Sequence, residues 1–266
     1  FFRKALRAAK LYTAWMNPWN DYEQLVADFV EAALCGEPGE RFRAEVDALV
    51  ARIAPAGFVN SLSQTLLKAS LPGVPDFYQG TEWWDFNLVD PDNRRPVDFA
   101  ARASSLERLQ SQFAGGPQAL LRELLEDWPA DRIKQFAVWR MLQVRGAEPE
   151  LFAHGDYVPL EVTGTWQQHV FAFARRSASR WLVVAVPRYI YSLRRESPAA
   201  EVGAGPLKIA WRETALVLPE SAPARWVCGF TGQPLQPASG DTGQTLSLQE
   251  LLAGFPLVML TTQPTA

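Results

Sequence analysis

The densest run of chemically capable side chains lies between Asp76 and Asp98, where Asp76, Tyr78, Gln79, Glu82, Trp83, Trp84, Asp85, Asp90, Asp92, Arg94 and Arg95 follow one another closely. Carboxylates at this density can supply the acid, base or nucleophile of glycosidic-bond chemistry, and flat aromatic rings offer faces on which the apolar side of a sugar stacks. The same residues also read as ordinary structure. Asp90-Pro91-Asp92 is a turn sequence, Arg94 and Arg95 can pair with Asp90, Asp92 or Asp98, and Trp83 and Trp84 can plug a core beneath the loop. Trp15 and Trp19, on either side of Asn17-Pro18, carry the same two readings: stacking platform or hydrophobic plug.

Other chemistries lack their defining residues. The sequence has no G-x-G-x-x-G, no G-x-x-x-x-G-K-[ST], no G-x-S-x-G and no H-E-x-x-H, so dinucleotide, P-loop, hydrolase-elbow and zincin readings fall away. His154 and His169 are the only histidines and read as a turn residue and a strand residue; no metal and no cofactor is implied. Cys35 and Cys228 stand far apart, which fits a reducing, cytoplasmic compartment. With 26 basic and 29 acidic residues the net charge is −3, which disfavours nucleic acid and anionic membrane as partners. The longest apolar runs, such as Leu182–Val186 and Pro256–Leu260, fall well short of the ~20 residues that span a bilayer. At 266 residues and 48% hydrophobic the chain can bury a large core, and two domains are expected. The start at Phe1-Phe2, running straight into helical pattern, is expected for a fragment of a longer protein.

These residues must be positioned by the surrounding elements. Tyr22, Leu25, Val26, Phe29, Val30 and Ala33 form a helical stripe; Phe42, Val46, Leu49, Val50 and Ile53 form a second, and Phe58, Leu62, Thr65, Leu66 and Ala69 a third, with Pro55 and Gly57 dividing the last two into separate helices. Val74–Tyr78, between Gly73 and Gly80, is expected as a buried strand that puts Val74, Asp76 and Tyr78 on one face and Pro75, Phe77 and Gln79 on the other. A long loop over 79–96 follows, then helices near Val97, from Pro117 through Leu125, and from Ile133 to Val144. Beyond about Glu148 the pattern turns to short strands: Tyr157–Val162, His169–Phe173, Trp181–Val186, Leu207–Ala210, Ala215–Leu218, Arg225–Phe230, Thr245–Leu248 and Pro256–Leu260. They suggest an antiparallel sandwich or barrel.

Leu71-Pro72-Gly73-Val74-Pro75-Asp76-Phe77-Tyr78-Gln79-Gly80-Thr81-Glu82 resembles the eighth-strand segment of glycoside hydrolase family 13, the α-amylase superfamily. With Asp90–Phe99, Lys10–Pro18 and Asn60–Lys68, the resemblance narrows to the maltooligosyl trehalose synthase family, and Leu151–Leu160 resembles the start of that family's C-terminal β domain. The resemblance implies an α+β fragment: residues 1–146 as the last, mostly helical part of a (β/α)8 barrel including strand 8, and residues 147–266 as an antiparallel β-sandwich. It implies an isomerase of trehalose biosynthesis, a cofactor-free intramolecular transglucosylation that turns the reducing-end α-1,4 bond of a maltooligosaccharide into an α,α-1,1 bond. It also implies that the catalytic acids lie on earlier barrel strands outside this chain, so no catalytic residue is assigned and the fragment alone is expected to be inactive. The missing N-terminal part of the barrel is then its partner. Asp76, Tyr78, Gln79, Glu82, Asp90, Arg94 and Arg95 are the substrate-binding candidates on the matching motif. Two other readings remain open: a non-catalytic carbohydrate-binding or supporting module, and part of an α-amylase-type glucan hydrolase.

Overall fold

The structure, a computed structural model, describes residues 1–90, 92–197, 209–240 and 243–262, and the chain divides into two compact units. The first unit comprises residues 1–54 and 85–97. It holds α1 (Phe2–Ala9), α2 (Asn20–Leu34) and the first half of α3 (Glu40–Ser70). The sequence pattern breaks α3 into two helices at Pro55, yet the structure runs one helix through it. A proline removes one backbone donor, and several helical turns on each side outweigh the loss. Burial also departs from the expected pattern: Leu25 and Phe29 of α2 are 68% and 73% exposed, whereas Glu23 on the same helix is buried. Phe42, Val46, Leu49, Val50 and Ile53 of α3 are likewise exposed. Apart from Tyr22, whose ring lies 5.3 Å from that of Tyr12 and 5.6 Å from that of Trp19, these stripes keep the helical period while much of their apolar surface stays exposed.

The second unit comprises residues 55–84 and 98–266. Here the later half of α3 buries Val59, Leu62, Leu66 and Ala69. The helices α4 (Phe99–Gly115), α5 (Pro117–Glu126), α6 (Arg132–Ala147) and α7 (Pro149–His154) follow. Asp98 caps α4, its carboxylate accepting from the Ala101 N–H at 2.9 Å, and Pro117 opens α5, where a missing donor costs nothing. Phe136 of α6 anchors the helical core with its ring 5.9 Å from those of Phe113 and Trp139 and 5.5 Å from that of Phe255.

The remaining elements are β1 (Asp156–Pro159), β2 (Glu161–Thr163), β3 (Val170–Ser177), β4 (Arg180–Pro187), α8 (Ile190–Glu196), β5 (Ala215–Leu218), β6 (Trp226–Cys228), β7 (Pro234–Leu235), β8 (Ala238–Gly240), β9 (Gly243–Ser247), α9 (Leu248–Leu251) and β10 (Val258–Thr261). They form two antiparallel sheets, ordered β1-β3-β4-β10-β6-β7 and β2-β5-β9-β8. The mixture of helices and antiparallel strands is the α+β composition expected. The sheets share one apolar cluster to which Phe173, Val184 and Leu260 contribute from the first and Leu216 and Leu246 from the second.

Several strands differ in detail from their sequence pattern. The run Tyr157–Val162 splits at Leu160, so that β1 pairs with β3 while β2 crosses to pair with β5. His169 closes a 3-10 turn ahead of β3 and is buried, with its ring 5.7 Å from Trp166. Leu248 begins α9 instead of ending a strand. In the strand expected over Leu207–Ala210, residues 207 and 208 lie outside the described residues, and Ile209 makes a single bridge. Gly164 has φ +96, and a Cβ there would stand 2.7 Å from the Thr214 Cα, so only glycine fits the turn after β2. Phe173 on β3 is fully buried. Phe173→Ala is therefore expected to cost about 3–5 kcal/mol in urea unfolding of this unit, and Phe99→Ala, at an exposed position, well under about 1 kcal/mol.

Candidate functional site

The segment Leu71–Trp84 leaves the end of α3 and carries four of the candidate residues. No strand forms over Val74–Tyr78, contrary to expectation: a strand needs a neighbouring backbone, and among the described residues none pairs with this segment. The period of two nevertheless survives in its burial. Val74, Asp76 and Tyr78 are exposed, with Val74 at 94%, and Pro75 and Phe77 are half-buried between them. Phe77 packs on the apolar core, with the Lys68 ammonium 4.0 Å above its ring. Gln79 is exposed, and Thr81 closes a turn by donating from its N–H and its hydroxyl to the Tyr78 carbonyl at 3.1 and 2.7 Å.

Side chains of α4 and α6 hold the next residues. Glu82 forms an ion pair with Arg102 at 2.5 Å, and the same guanidinium lies 4.2 Å over the Trp83 ring and donates to the Gly80 carbonyl at 3.3 Å. The Trp83 indole N–H donates to Gln135 Oε1 at 3.0 Å, and Gln135 Nε2 donates to the Arg102 carbonyl at 2.8 Å. Lys134 Nζ donates to the Trp83 carbonyl at 2.9 Å. Trp84 donates from its backbone to Asp131 Oδ1 at 2.9 Å and from its indole to the Ala130 carbonyl at 3.1 Å. Its ring meets Phe58 edge-on at 4.4 Å. Both tryptophans are thus wedged into the helical base by ring contacts and hydrogen bonds, which fits the plug reading better than the open-platform one.

Asp90, Arg94 and Arg95 belong to the first unit. Asp90 pairs with Lys4 and Arg94, and Lys4 Nζ also donates to the Asp90 carbonyl at 2.6 Å; Pro91 lies outside the described residues. Asp92 accepts from the Leu88 N–H at 2.7 Å and pairs with Arg95. The Lys4 hydrogen bond lowers the Asp90 pKa and the Leu88 N–H lowers that of Asp92, so both favour the ionised form. Neither has the raised value that a general acid needs near neutrality. In the same unit Glu23 accepts from Arg7 Nε and Nη2 at 2.8 and 2.7 Å and from the Thr13 hydroxyl at 2.6 Å, and Thr13 Oγ1 accepts from the Trp19 N–H at 3.0 Å. This buried knot fixes the turn that carries Trp15 and Trp19, both more than half exposed. Arg7 lies 5.3 Å over the Trp15 ring, and the Trp19 ring lies 5.6 Å from that of Tyr22.

The candidates therefore fall into two groups: Asp76, Tyr78, Gln79 and Glu82 on one unit, Asp90, Arg94 and Arg95 on the other. Sequence reasoning missed Arg102, which pairs with Glu82, and Lys4, which pairs with Asp90, as well as the residues that hold the tryptophans, Asp131, Lys134 and Gln135 at Trp83 and Trp84, and Arg7 and Glu23 at the turn of Trp15 and Trp19. A charged residue in a helical pattern looks like solvated surface until its partner is known, and Lys134 and Gln135 carry no more signal in the sequence than Arg140, Gln143 and Arg145 farther along α6. Among the described residues no group of three His, Cys, Asp or Glu side chains stands close enough to hold a metal, and no helix is long and apolar enough to cross a membrane. Glu23 is held down to about 2 by the Arg7 hydrogen bonds first and Thr13 second, against an ordinary value of 4.5. A lowered folded-state value stabilises above pH 4.5 and is lost as the pH falls toward 2. The near-UV circular dichroism of the first unit is expected to lose thermal stability across that window, and Glu23→Gln to flatten the pH dependence; an unchanged slope in the variant would contradict the assignment.

No family model matches the chain. A protein of Mycobacterium tuberculosis that carries the name maltooligosyl trehalose synthase is 33% identical over 260 residues, 98% of this chain but 27% of the relative. The same match recurs in a second strain of that species. The maltooligosyltrehalose synthase structure from Arthrobacter ramosus superposes with a TM-score of 0.71 at 28% identity, over 97% of this chain and 29% of that one. A glycosyltrehalose synthase structure, DSM5389, gives 0.64 at 26% identity, over 98% and 28%. Along nearly its whole length, the chain matches a part of maltooligosyl trehalose synthase that amounts to little more than a quarter of that enzyme.

Proposed function

We propose that this chain is the C-terminal part of a maltooligosyl trehalose synthase, with residues 1–146 completing a (β/α)8 barrel and residues 147–266 forming its β-sandwich domain. The observation that carries this reading is a match over 98% of the chain to a protein of which it spans 27%. The exposed apolar stripes of α2 and early α3 fit it, because helices of that period need a partner, and the remaining three-quarters of such a protein would supply one. Val74–Tyr78 fits it too: its alternation is that of a strand, and a barrel would give it the neighbour it lacks here. Localisation in the cytoplasm follows from this reading.

The reaction so proposed is a retaining transfer. One carboxylate attacks the anomeric carbon, a second protonates the departing oxygen and then deprotonates the acceptor, the anomeric hydroxyl of the released glucose. Those carboxylates are assigned to the rest of the protein. Asp76, Tyr78, Gln79 and Glu82, with Asp90, Arg94 and Arg95, are assigned to lining or bracing the sugar pocket of the whole enzyme. Asp90 and Arg94, already an ion pair, suit hydrogen bonding to sugar hydroxyls from fixed positions, and ionised groups serve that role better than proton transfer. A pocket that holds the freed glucose and excludes water would favour transfer over hydrolysis.

Seen alone, the chain reads as a supporting module. Among the described residues each carboxylate whose pKa is displaced is displaced downward, and Glu23, Asp90 and Asp92 are each paired to a cation. Incubation with maltopentaose followed by proton and carbon NMR of the products tests both readings. The full-length protein is expected to form the α,α-1,1 linkage, and residues 1–266 alone to form none. Asp90→Asn in the full-length protein is expected to lower kcat/KM about tenfold or more, the size of a lost charged hydrogen bond. Glucose without any α,α-1,1 product would favour a glucan hydrolase, and linkage formation by 1–266 alone would overturn the assignment of the catalytic acids.

A further inference from the structure

Two arginines of the second unit converge on the carbonyls at the end of α3. Arg145 of α6 donates from Nη1 to the Ala69 carbonyl at 2.9 Å and from Nη2 to the Gly73 carbonyl at 2.6 Å. Arg175 of β3, 1% exposed, donates from Nη1 to the Ser70 carbonyl at 3.2 Å, and from Nη2 to the carbonyls of Phe152 and Gly155 at 3.1 and 2.8 Å. The last carbonyls of a helix have no partner within it and form its negative end, so cations suit them. Two guanidiniums are nevertheless a costly way to meet that need. No carboxylate lies among their hydrogen-bond or ion-pair partners within the described residues, burial disfavours the charge of each, and Arg145 adds repulsion at Arg175. An apolar side chain would avoid that cost but would leave the carbonyls without a partner.

What a guanidinium supplies and an apolar side chain does not is hydrogen bonds, and with them a direction. Arg175 ties the sheet to the ends of two helices, and Arg145 reaches past the end of α3 to Gly73, whose φ of +113 starts the segment toward Val74. From there Val74 and Asp76 are exposed, and the segment is next held at Phe77. The course of residues 74–76 is therefore set by its two ends, and the arginines fix the first. We infer that Arg145 and Arg175 are positioning residues that carry the placement of α6 and the six-stranded sheet into the segment bearing Asp76 and Tyr78. The functional half of this inference rests on the proposed sugar pocket.

The test uses the full-length protein that contains these residues, with Arg145→Ala, Arg145→Lys and Arg175→Lys. Amide hydrogen exchange over residues 71–79 is expected to rise about tenfold in Arg145→Ala, the loss expected for a hydrogen bond from a charged donor, while exchange over 56–66 of α3 stays as in the parent. With maltopentaose, Arg145→Ala and Arg175→Lys are expected to raise KM and the share of substrate lost as free glucose severalfold. Arg145→Lys is expected to recover part of both. Unchanged exchange over 71–79 would overturn the inference. So would a lowered melting temperature with KM and product share unaltered, since a merely structural role predicts that outcome. An inactive parent protein would sink the proposed function and the functional half with it, while the exchange result would still decide whether these side chains place the segment.

Discussion

Unpaired backbone is the constraint on which this structure turns. From the end of α3 to Trp84 the chain crosses the second unit without a strand beside it, and each carbonyl and amide that loses water there needs another partner. Long polar side chains meet that need. Arg145 and Arg175 take the carbonyls at the start, Arg102 and Lys134 take those of Gly80 and Trp83, and Asp131 takes the Trp84 amide. Apart from Asp131, which sits in the turn ahead of α6, these come from helices or strands that contribute to the apolar core, so the segment is fastened to that core. Asp76, Tyr78 and Gln79 are left exposed along this segment, and so is Val74.

The first unit applies the same principle with charge. Arg7, Thr13 and Glu23 saturate one another in a largely buried knot, and Lys4 and Arg94 pair with Asp90 nearer the surface. A carboxylate so surrounded favours its ionised form. That works against proton transfer, which agrees with the proposal that the catalytic acids belong to the rest of a longer protein.

Elements whose signal is local were legible in the sequence. The helical stripe of α2 and the strands β4 and β5 appear close to where the patterns put them, since period and apolar content decide them within a few residues. Continuity through Pro55 was not legible, because the penalty of one proline is local while the compensation is spread over α3. Nor was the split at Leu160, which depends on two strands of different sheets competing for neighbouring residues. At the candidate site the residue types were visible and their supports were not: Gln135 and Arg175 stand 52 and 105 positions from the groups they bind, and no pattern within a window reveals such a pair. The alternation from Val74 to Tyr78 was legible even though the strand it implies is absent, since burial follows side-chain direction whether or not a ladder forms.

The central claim is that Asp76 and its neighbours face a bound glucan chain in the intact protein. Hydrogen exchange of the full-length protein with and without saturating maltotetraose tests it most directly. Protection on binding is expected at the amides of residues 76–82, with those buried in β4 unaffected. Sugar binding that leaves residues 76–82 unprotected while shielding amides elsewhere would contradict it.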